Sequence, residues 1–150
     1  TMKIISEQLI RSLEISPKVC VDWIMESFAI KQESQLPAKI SVHPNDGEFF
    51  TSMPCLLPSP DNLDLADNIK FKRRYFGVKV VHRLLDAVPS LGSDMMLYDA
   101  KTGELLALVD TDWITTMRTG AVAAISSKVL RKENAKVYGM VGLGNTARLL

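Results

Sequence analysis

The 150-residue sequence predicts an α/β protein. Apolar residues recur at helical spacing in two stretches, and short apolar segments bounded by turn signals indicate strands between them. Near the end, an apolar segment, 137–141, runs directly into Gly142-Leu143-Gly144-Asn145-Thr146-Ala147. A G-x-G-x-x-A order after a strand is typical of the start of a Rossmann-type domain. We therefore expect an N-terminal α+β domain over residues 1–130 and the incomplete beginning of a Rossmann domain over residues 131–150.

Composition and charge exclude several classes of protein. Hydrophobic residues make up 47% and charged residues 23%, and the net charge of +1 gives no reason to expect nucleic acid or an anionic membrane as a partner. No apolar stretch has the length of a membrane span or the form of a signal peptide. The two cysteines offer no C-x-x-C pair and at most one disulfide. We expect a cytoplasmic protein, and no metal site.

Two helices are predicted first. The hydroxyl of Ser6 can cap a short helix that ends at Arg11. Ser16-Pro17 is a stronger start signal, because it combines a capping hydroxyl with proline at the first helical position. In the second helix we expect one buried apolar stripe, which consists of Val21, Ile24, Met25 and Phe28.

Two short strands and a loop are predicted next. Pro37 and Pro44 bracket an extended segment, and the turn at Asn45-Asp46-Gly47 returns the chain as a second strand, 48–53. Residues 57–74 contain two prolines, three aspartates and a basic run, so little of this stretch can be buried. We expect a surface loop or insertion there.

The second half of the chain is predicted to alternate strands with one long helix. After a strand at 77–81, the strands 95–99 and 105–109 flank Ala100-Lys101-Thr102-Gly103 as a hairpin. A helix from about Asp112 to Leu130 follows, with Thr111 or Asp112 as its cap. Residues 136–141 are predicted to form the next strand.

Two cations lie among apolar residues. Lys79 is central in the strand 77–81, where alternation puts it on the same face as Val81. A strand this apolar is expected to be covered on both faces, so Lys79 either meets a partner or reaches water at an edge. Arg118 lies in mid-helix, and its guanidinium fits a carboxylate or phosphate in bidentate fashion. An internal Asp or Glu is the alternative partner.

The glycine turn favours a nucleotide ligand. Gly142 permits the tight turn, Gly144 lets a pyrophosphate approach the backbone, and the small Ala147 lets the next helix pack on the strand. The pyrophosphate then lies on the free amides of the helix N-terminus. An ordinary turn before a helix is the alternative. Because a dinucleotide fold needs more strands and an acidic residue about 20 positions further on, we expect the chain to be part of a longer protein.

Several segments together resemble one family. The segments 77–81, 99–103, 107–110 and 114–121, followed by the glycine turn, occur in the order seen in ornithine cyclodeaminases and mu-crystallins. The similarity is continuous from about Pro37 to the end of the chain. Its most specific part is Thr-x-x-Arg-Thr-x-Ala ahead of G-x-G-x-x-A.

The resemblance implies a substrate-binding and dimerisation domain followed by a Rossmann domain that binds NAD or NADP. It implies that Lys79 binds the substrate carboxylate, together with Lys39, which follows Pro37 where the family has an arginine. Arg118 matches the family's helix arginine, which lies near both cofactor and substrate. Further cofactor contacts are implied for Ser90, Gly142, Gly144, Asn145 and Thr146. The family's catalytic aspartate would lie beyond Leu150, so no catalytic residue is assigned.

Four further departures from the family's pattern concern the expected cofactor and substrate sites. Pro89-Ser90 stands where the family has proline and threonine, which preserves the hydroxyl. Asn145 and Thr146 stand where Ala-Gln is common, so only their backbone role carries over. An apparent insertion around 61–75 and a shortened loop between Val81 and Pro89 both border the expected pocket.

The activity that the resemblance implies is ornithine cyclodeamination. Bound NAD takes a hydride from the α carbon of L-ornithine, the side-chain amine attacks the imine, ammonia leaves, and the hydride returns to give L-proline. The alternatives are a ketimine reductase or alanine dehydrogenase of the same family, or a mu-crystallin-like protein that holds NADPH and a small ligand. A structural fragment whose cations meet internal carboxylates is a further alternative. The expected partners are a small amino or imino acid and a second copy of the chain.

Overall fold

The centre of the structure, a computed structural model that describes residues 1–59 and 74–149, is a six-stranded sheet. In chain order the strands are β1 (Lys3–Ile5), β2 (Ile40–Val42), β3 (Phe49–Leu56), β4 (Tyr75–Arg83), β5 (Leu91–Asp99) and β6 (Leu105–Asp110). Their spatial order is β1-β6-β5-β4-β3-β2, and all neighbours are antiparallel except β1 and β6. The expected α/β class is confirmed, although the sequence did not reveal β1.

Helices cover one face of this sheet. They are α1 (Glu7–Arg11), α2 (Pro17–Ala29) and α3 (Asp112–Leu130). Side chains from α1, α3 and alternate positions of β1, β5 and β6 form the core between the layers. These side chains are Ile5, Ile10, Met95, Leu97, Ala107, Val109, Trp113 and Ile114. Helix α3 therefore lies over the middle of the sheet, above β5 and β6.

The predicted helix starts and turns are confirmed. The hydroxyl of Ser6 accepts from the amide of Leu9, and the hydroxyl of Ser16 accepts from the amide of Val19. Gly47 and Gly103, in the turns before β3 and β6, have φ of 77° and 74°, in the left-handed region that glycine adopts most readily. These features depend only on residues close together in the chain, and they were readable for that reason.

The buried stripe predicted for α2 is wrong, because none of its four residues is buried: Val21 and Ile24 are only half-buried. Met25 is 51% exposed and Phe28 is 46% exposed, whereas Cys20 is 5% exposed. Helix α2 packs on α3, and the side that faces the other elements is the side of Cys20. Helical periodicity identifies an apolar side of a helix but does not say which part of it meets a neighbour.

The strand predicted at 136–141 is absent from the structure. These residues belong to no helix or strand, and the side chains of Val137 and Val141 are 92% and 105% exposed. A strand forms only where a neighbouring strand accepts its peptide groups, and no described strand lies beside this segment. After the glycine turn, residues Asn145–Leu149 form a 3₁₀ helix in place of an α-helical start.

Two sequence predictions are limited by what the structure describes. Of the surface loop predicted at 57–74, residues 60–73 lie outside the described residues. In the ranges 1–59 and 74–149, none of the helices combines the length and the hydropathy that crossing a bilayer requires.

Candidate functional site

A cavity of about 450 Å³ lies between helix α3 and the β2–β4 side of the sheet. The sheet contributes Ser41 and Thr51 to its wall, and α3 contributes Thr115, Thr116 and Thr119. Lys39, Arg118 and Thr146 complete the polar part of the lining. The cavity thus collects residues from the segment before β2, from α3 and from the turn after the two glycines.

Lys79 is joined to the wall of this cavity by a hydrogen bond. It is the central residue of β4, opposite Met53 on β3 and Met95 on β5, and it shares the helix-covered face with Val81, as the alternation predicted. Its side chain is half-buried, and its Nζ donates to Oγ1 of Thr115 at 3.2 Å. Lys79 does not itself line the cavity, but its hydroxyl partner does.

The site is strongly cationic. Burial, followed by the positive charges of Arg118 and Lys39, lowers the pKa of Lys79 from its ordinary value of 10.5 to about 8. Among the described residues that line the cavity, none is acidic. Within the described ranges, neither Lys79 nor Arg118 forms an ion pair with Asp or Glu. The internal carboxylate that was the alternative partner is therefore not found in this part of the chain.

The exposure of Arg118 differs from what its apolar helix neighbours suggested. Although its helix neighbours are apolar, its side chain is exposed at the mouth of the cavity. It also borders a second, apolar cavity of about 430 Å³ that α1, α2 and α3 enclose. An exposed guanidinium between two cavities is free to turn toward an incoming anion.

Four polar residues behind Lys79 were not assigned to the site from the sequence. Ser93 of β5 donates its hydroxyl proton to Oδ1 of Asp112 at 3.1 Å, and its Oγ lies 2.9 Å from Oγ1 of Thr115. The backbone amide of Ser93 also donates to Asp112. Thr111, which is fully buried, donates to Oγ of Ser93 at 3.1 Å. Thr111 occupies the helix cap position, but its hydroxyl forms no cap hydrogen bond because it is turned to Ser93.

The glycine turn is open to a ligand. Gly142 has φ of 91°, and no heavy atom lies within 4 Å of the place where a Cβ on Gly144 would stand. Asn145 is exposed, whereas Thr146 lines the cavity with Lys39 and Arg118. The structure therefore brings one end of the glycine turn to the cationic site.

Ser90 is not brought into the cavity. It lies in the turn between β4 and β5, where its carbonyl accepts from the amide of Leu84 at 2.9 Å and its side chain is exposed. The next residue, Leu91, does line the cavity. The cofactor contact expected of the Ser90 hydroxyl stays a prediction.

The fold and the site together define an α/β protein with a cationic pocket beside a glycine turn. Residues 3–149 match the Ornithine cyclodeaminase/mu-crystallin family. The chain belongs to this family, and the resemblance inferred from its motifs is confirmed.

Individual relatives share part of the chain. The Delta(1)-pyrroline-2-carboxylate reductase of Colwellia psychrerythraea is 41% identical over 63 residues, which are 42% of this chain and 20% of that protein. Among solved structures, the Delta(1)-pyrroline-2-carboxylate reductase of Thermococcus litoralis, in complex with NADH and L-proline, is 26% identical with a TM-score of 0.79. An archaeal alanine dehydrogenase dimer with bound NAD is 25% identical, also with a TM-score of 0.79.

The match to these structures is uneven in length. It covers 99% of this chain but only 44% of the Thermococcus litoralis reductase and 43% of the archaeal dehydrogenase. The chain thus spans less than half the length of the two solved proteins.

Proposed function

We propose that this chain supplies the substrate side of an NAD(P)-dependent oxidoreductase, which interconverts an imine and an amine at the carbon next to a carboxylate. The observation that carries the proposal is a cavity lined by Lys39 and Arg118, to which Lys79 is joined through Thr115. None of the described residues that line this cavity is acidic. Such a site favours a small carboxylate over a cation or a neutral ligand. Two of the relatives are named as a pyrroline-2-carboxylate reductase and an alanine dehydrogenase, and both names concern substrates of this kind.

The cofactor in this proposal is NAD or NADP. The positive φ of Gly142 and the free space at Gly144 suit the close approach of a pyrophosphate to the backbone. Two of the structural neighbours are solved with NAD or NADH bound. When bound, the nicotinamide supplies the hydride chemistry. The residues of this chain that would hold its phosphates are Gly142, Gly144, Asn145 and Thr146.

The residues of the pocket would bind and orient the substrate. Lys79 and Lys39 would hold the carboxylate from the sheet side, and Arg118 would hold it from α3, where its fork can meet both carboxylate oxygens. Fixing the carboxylate in this way aligns the adjacent carbon with the glycine turn, since Thr146 lines the same cavity. We further propose that residues 1–130 form the substrate-binding and dimerisation domain and that residues 131–150 begin the nucleotide-binding domain.

Ornithine cyclodeamination is the second candidate. It begins with the same removal of a hydride beside a carboxylate, so the same three cations would serve it. Reduction of an imine is the first candidate. Two relatives that are each 41% identical over part of the chain are named as a pyrroline-2-carboxylate reductase and as ketimine reductase mu-crystallin. We propose a cytoplasmic setting for either activity, in keeping with the two free cysteines.

The test is an activity assay on the full-length protein. We expect it to oxidise NADH or NADPH with a cyclic or linear α-imino carboxylate, and to bind the reduced cofactor with quenching or transfer of its fluorescence. Conversion of L-ornithine to L-proline would instead identify the cyclodeaminase. That reaction would need only catalytic amounts of NAD, release ammonia and cause no net change in NADH. Binding of cofactor and carboxylate without turnover of any of these substrates would leave a ligand-binding protein and contradict the proposed oxidoreductase.

We propose that the protein is a homodimer whose interface includes the sheet face that carries no helix. Met96 and Leu108 alternate with the core residues of β5 and β6 and so lie on that face. Ile4 is 76% exposed and Leu108 is 37% exposed, and with Val78 they border an open cavity of about 510 Å³. Apolar strands of this kind need cover on both faces.

Light scattering on the full-length protein at micromolar concentration is expected to give twice the mass of one chain. Leu108→Asp should shift the protein toward monomer, because the charge would be buried in the interface. Leu85→Asp, at an exposed apolar residue in the turn after β4, is the matched control and should leave the mass unchanged. A clean monomer before any substitution would contradict the proposal.

A further inference from the structure

We propose that Thr115 is a positioning residue, whose hydroxyl, oriented by Ser93 and Asp112, holds the Lys79 ammonium on the cavity side of the sheet. The inference rests on the proposed function, because it assigns a purpose to Lys79 only if that ammonium binds a carboxylate. Thr115 is the residue through which Lys79 is connected to the cavity wall. The other two residues act through Thr115 and do not reach the cavity lining.

The directions of the hydrogen bonds follow from the number of protons available. Ser93 has one hydroxyl proton, and it goes to the Asp112 carboxylate, since an ionised acceptor is preferred over a hydroxyl. The 2.9 Å contact between Ser93 and Thr115 must then be donated by Thr115. Thr111 also donates to Ser93, which uses the second lone pair of that oxygen.

These directions leave Thr115 as a pure acceptor toward Lys79. Its own proton is committed to Ser93, so the lone pairs of its Oγ1 are the groups that face Nζ of Lys79, 3.2 Å away. An acceptor so fixed favours the protonated amine, and each bond in the chain polarises the next. The Asp112 carboxylate at the far end therefore acts on Lys79 through two hydroxyls without meeting it.

This arrangement suits a lysine whose charge must stay available to a ligand. A carboxylate in contact with Lys79 would neutralise it and compete with the substrate, whereas a hydroxyl supports the ammonium and leaves its other two protons free. Among the described residues, the charged groups that act directly on Lys79 are Lys39, from the segment before β2, and Arg118, from α3, and both are positive. The hydroxyl chain is the feature of the described structure that opposes their effect.

The experiment compares the pKa of Lys79 in Thr115 variants of the full-length protein. In protein labelled with ¹³C at lysine Cε, the NMR titration of Lys79 is assigned by its loss in Lys79→Met. Thr115→Val, which preserves shape and removes the hydroxyl, should lower the pKa of Lys79 by about one unit. Thr115→Ser should restore it, and Ser93→Ala should lower it by a smaller amount. Ser126→Ala, on the exposed side of the same helix, is the matched control.

A kinetic arm separates this inference from the proposed function. With an α-imino carboxylate, Thr115→Val should raise KM about tenfold with little change in kcat, and Thr115→Ser should return KM to the original value. Absence of any activity would contradict the proposed function but leave the NMR comparison decisive. An unchanged Lys79 pKa in a folded Thr115→Val protein, or a fall that Thr115→Ser does not restore, would overturn the positioning role.

Discussion

Replacing Lys79 by methionine in the full-length protein is expected to lower kcat/KM for the carboxylate substrate by about ten- to a hundredfold, the loss of one charge-assisted contact. The affinity for the cofactor should stay within a few fold, because Lys79 lies on β4 whereas Gly142 and Gly144 form a separate turn. Methionine keeps the length of the stem, so the change removes charge more than packing. Steady-state kinetics and a cofactor titration by fluorescence measure the two effects.

The control for this variant is Lys101→Met, which removes an exposed lysine in the turn between β5 and β6. It should leave both measurements unchanged. Equal losses of substrate use and cofactor affinity in Lys79→Met would show that Lys79 serves the cofactor.

Substrate affinity is expected to decrease as the pH is raised. Since the pKa of Lys79 is lowered to about 8, substrate affinity should fall as the pH rises through about 8, where the free protein loses this proton. Lys79→Met should lack that decline. A lowered lysine pKa also means that the charged ammonium destabilises the fold below about pH 8. This destabilisation decreases as the pH rises toward 10.5, the ordinary pKa of a lysine.

Lys79→Met should accordingly be more stable than the parent at neutral pH. Discounted for the half-exposure of the side chain, the difference is about 1 kcal/mol in the free energy of unfolding. Thermal unfolding at pH 7 and at pH 9.5 should show the gap narrowing at the higher pH. A variant that is more stable but uses its substrate less well is typical of a residue that serves function at a cost in stability.

Arg118→Ala is expected to damage substrate use and cofactor affinity together. Arg118 lines the same cavity as Lys39 and as Thr146, which follows the glycine turn. Loss of a bidentate contact should lower kcat/KM by about a hundredfold, and cofactor affinity should fall by about three- to tenfold. Arg118→Lys keeps the charge but loses the bidentate geometry of the guanidinium. Its kcat/KM and cofactor affinity should therefore lie between those of the parent and those of Arg118→Ala.

The same variant has a consequence for its neighbour. Because the charge of Arg118 lowers the pKa of Lys79, Arg118→Ala should move the pH at which substrate affinity declines to a higher value. Arg131→Ala, beyond the end of α3 and away from the cavity, is a matched control. Full cofactor affinity in Arg118→Ala would place the arginine wholly on the substrate side.

Much of the fold could be predicted because its signals are local. The caps at Ser6 and Ser16 need only the amides of the next turn, and the turns at Gly47 and Gly103 need only a residue that tolerates positive φ. Alternation along β4 placed Lys79 on the same face as Val81 for the same reason. The family resemblance rested on motifs of this kind, and it led to Lys39, Lys79 and Arg118.

The hydroxyl chain could not be predicted in the same way. Ser93 and Thr115 are 22 residues apart, and Lys79 and Thr115 are 36 apart. Ser and Thr are common in strands and helices, so nothing local distinguishes these two from the others. Only the register of β4 with β5 and the position of α3 above them bring the three side chains together.

By itself, then, the sequence determined the helix starts, the turns, most strands and the family, since each is written in neighbouring residues. The tertiary structure decided which positions of α2 are covered and whether 136–141 pairs as a strand. It also decided that Lys39 and Arg118 line one cavity, with Lys79 joined to its wall through Thr115. The physical reason is that burial and strand pairing depend on a partner from elsewhere in the chain. Residues 136–141 are apolar enough for a strand, but without a described neighbour their peptide groups have nothing to pair with.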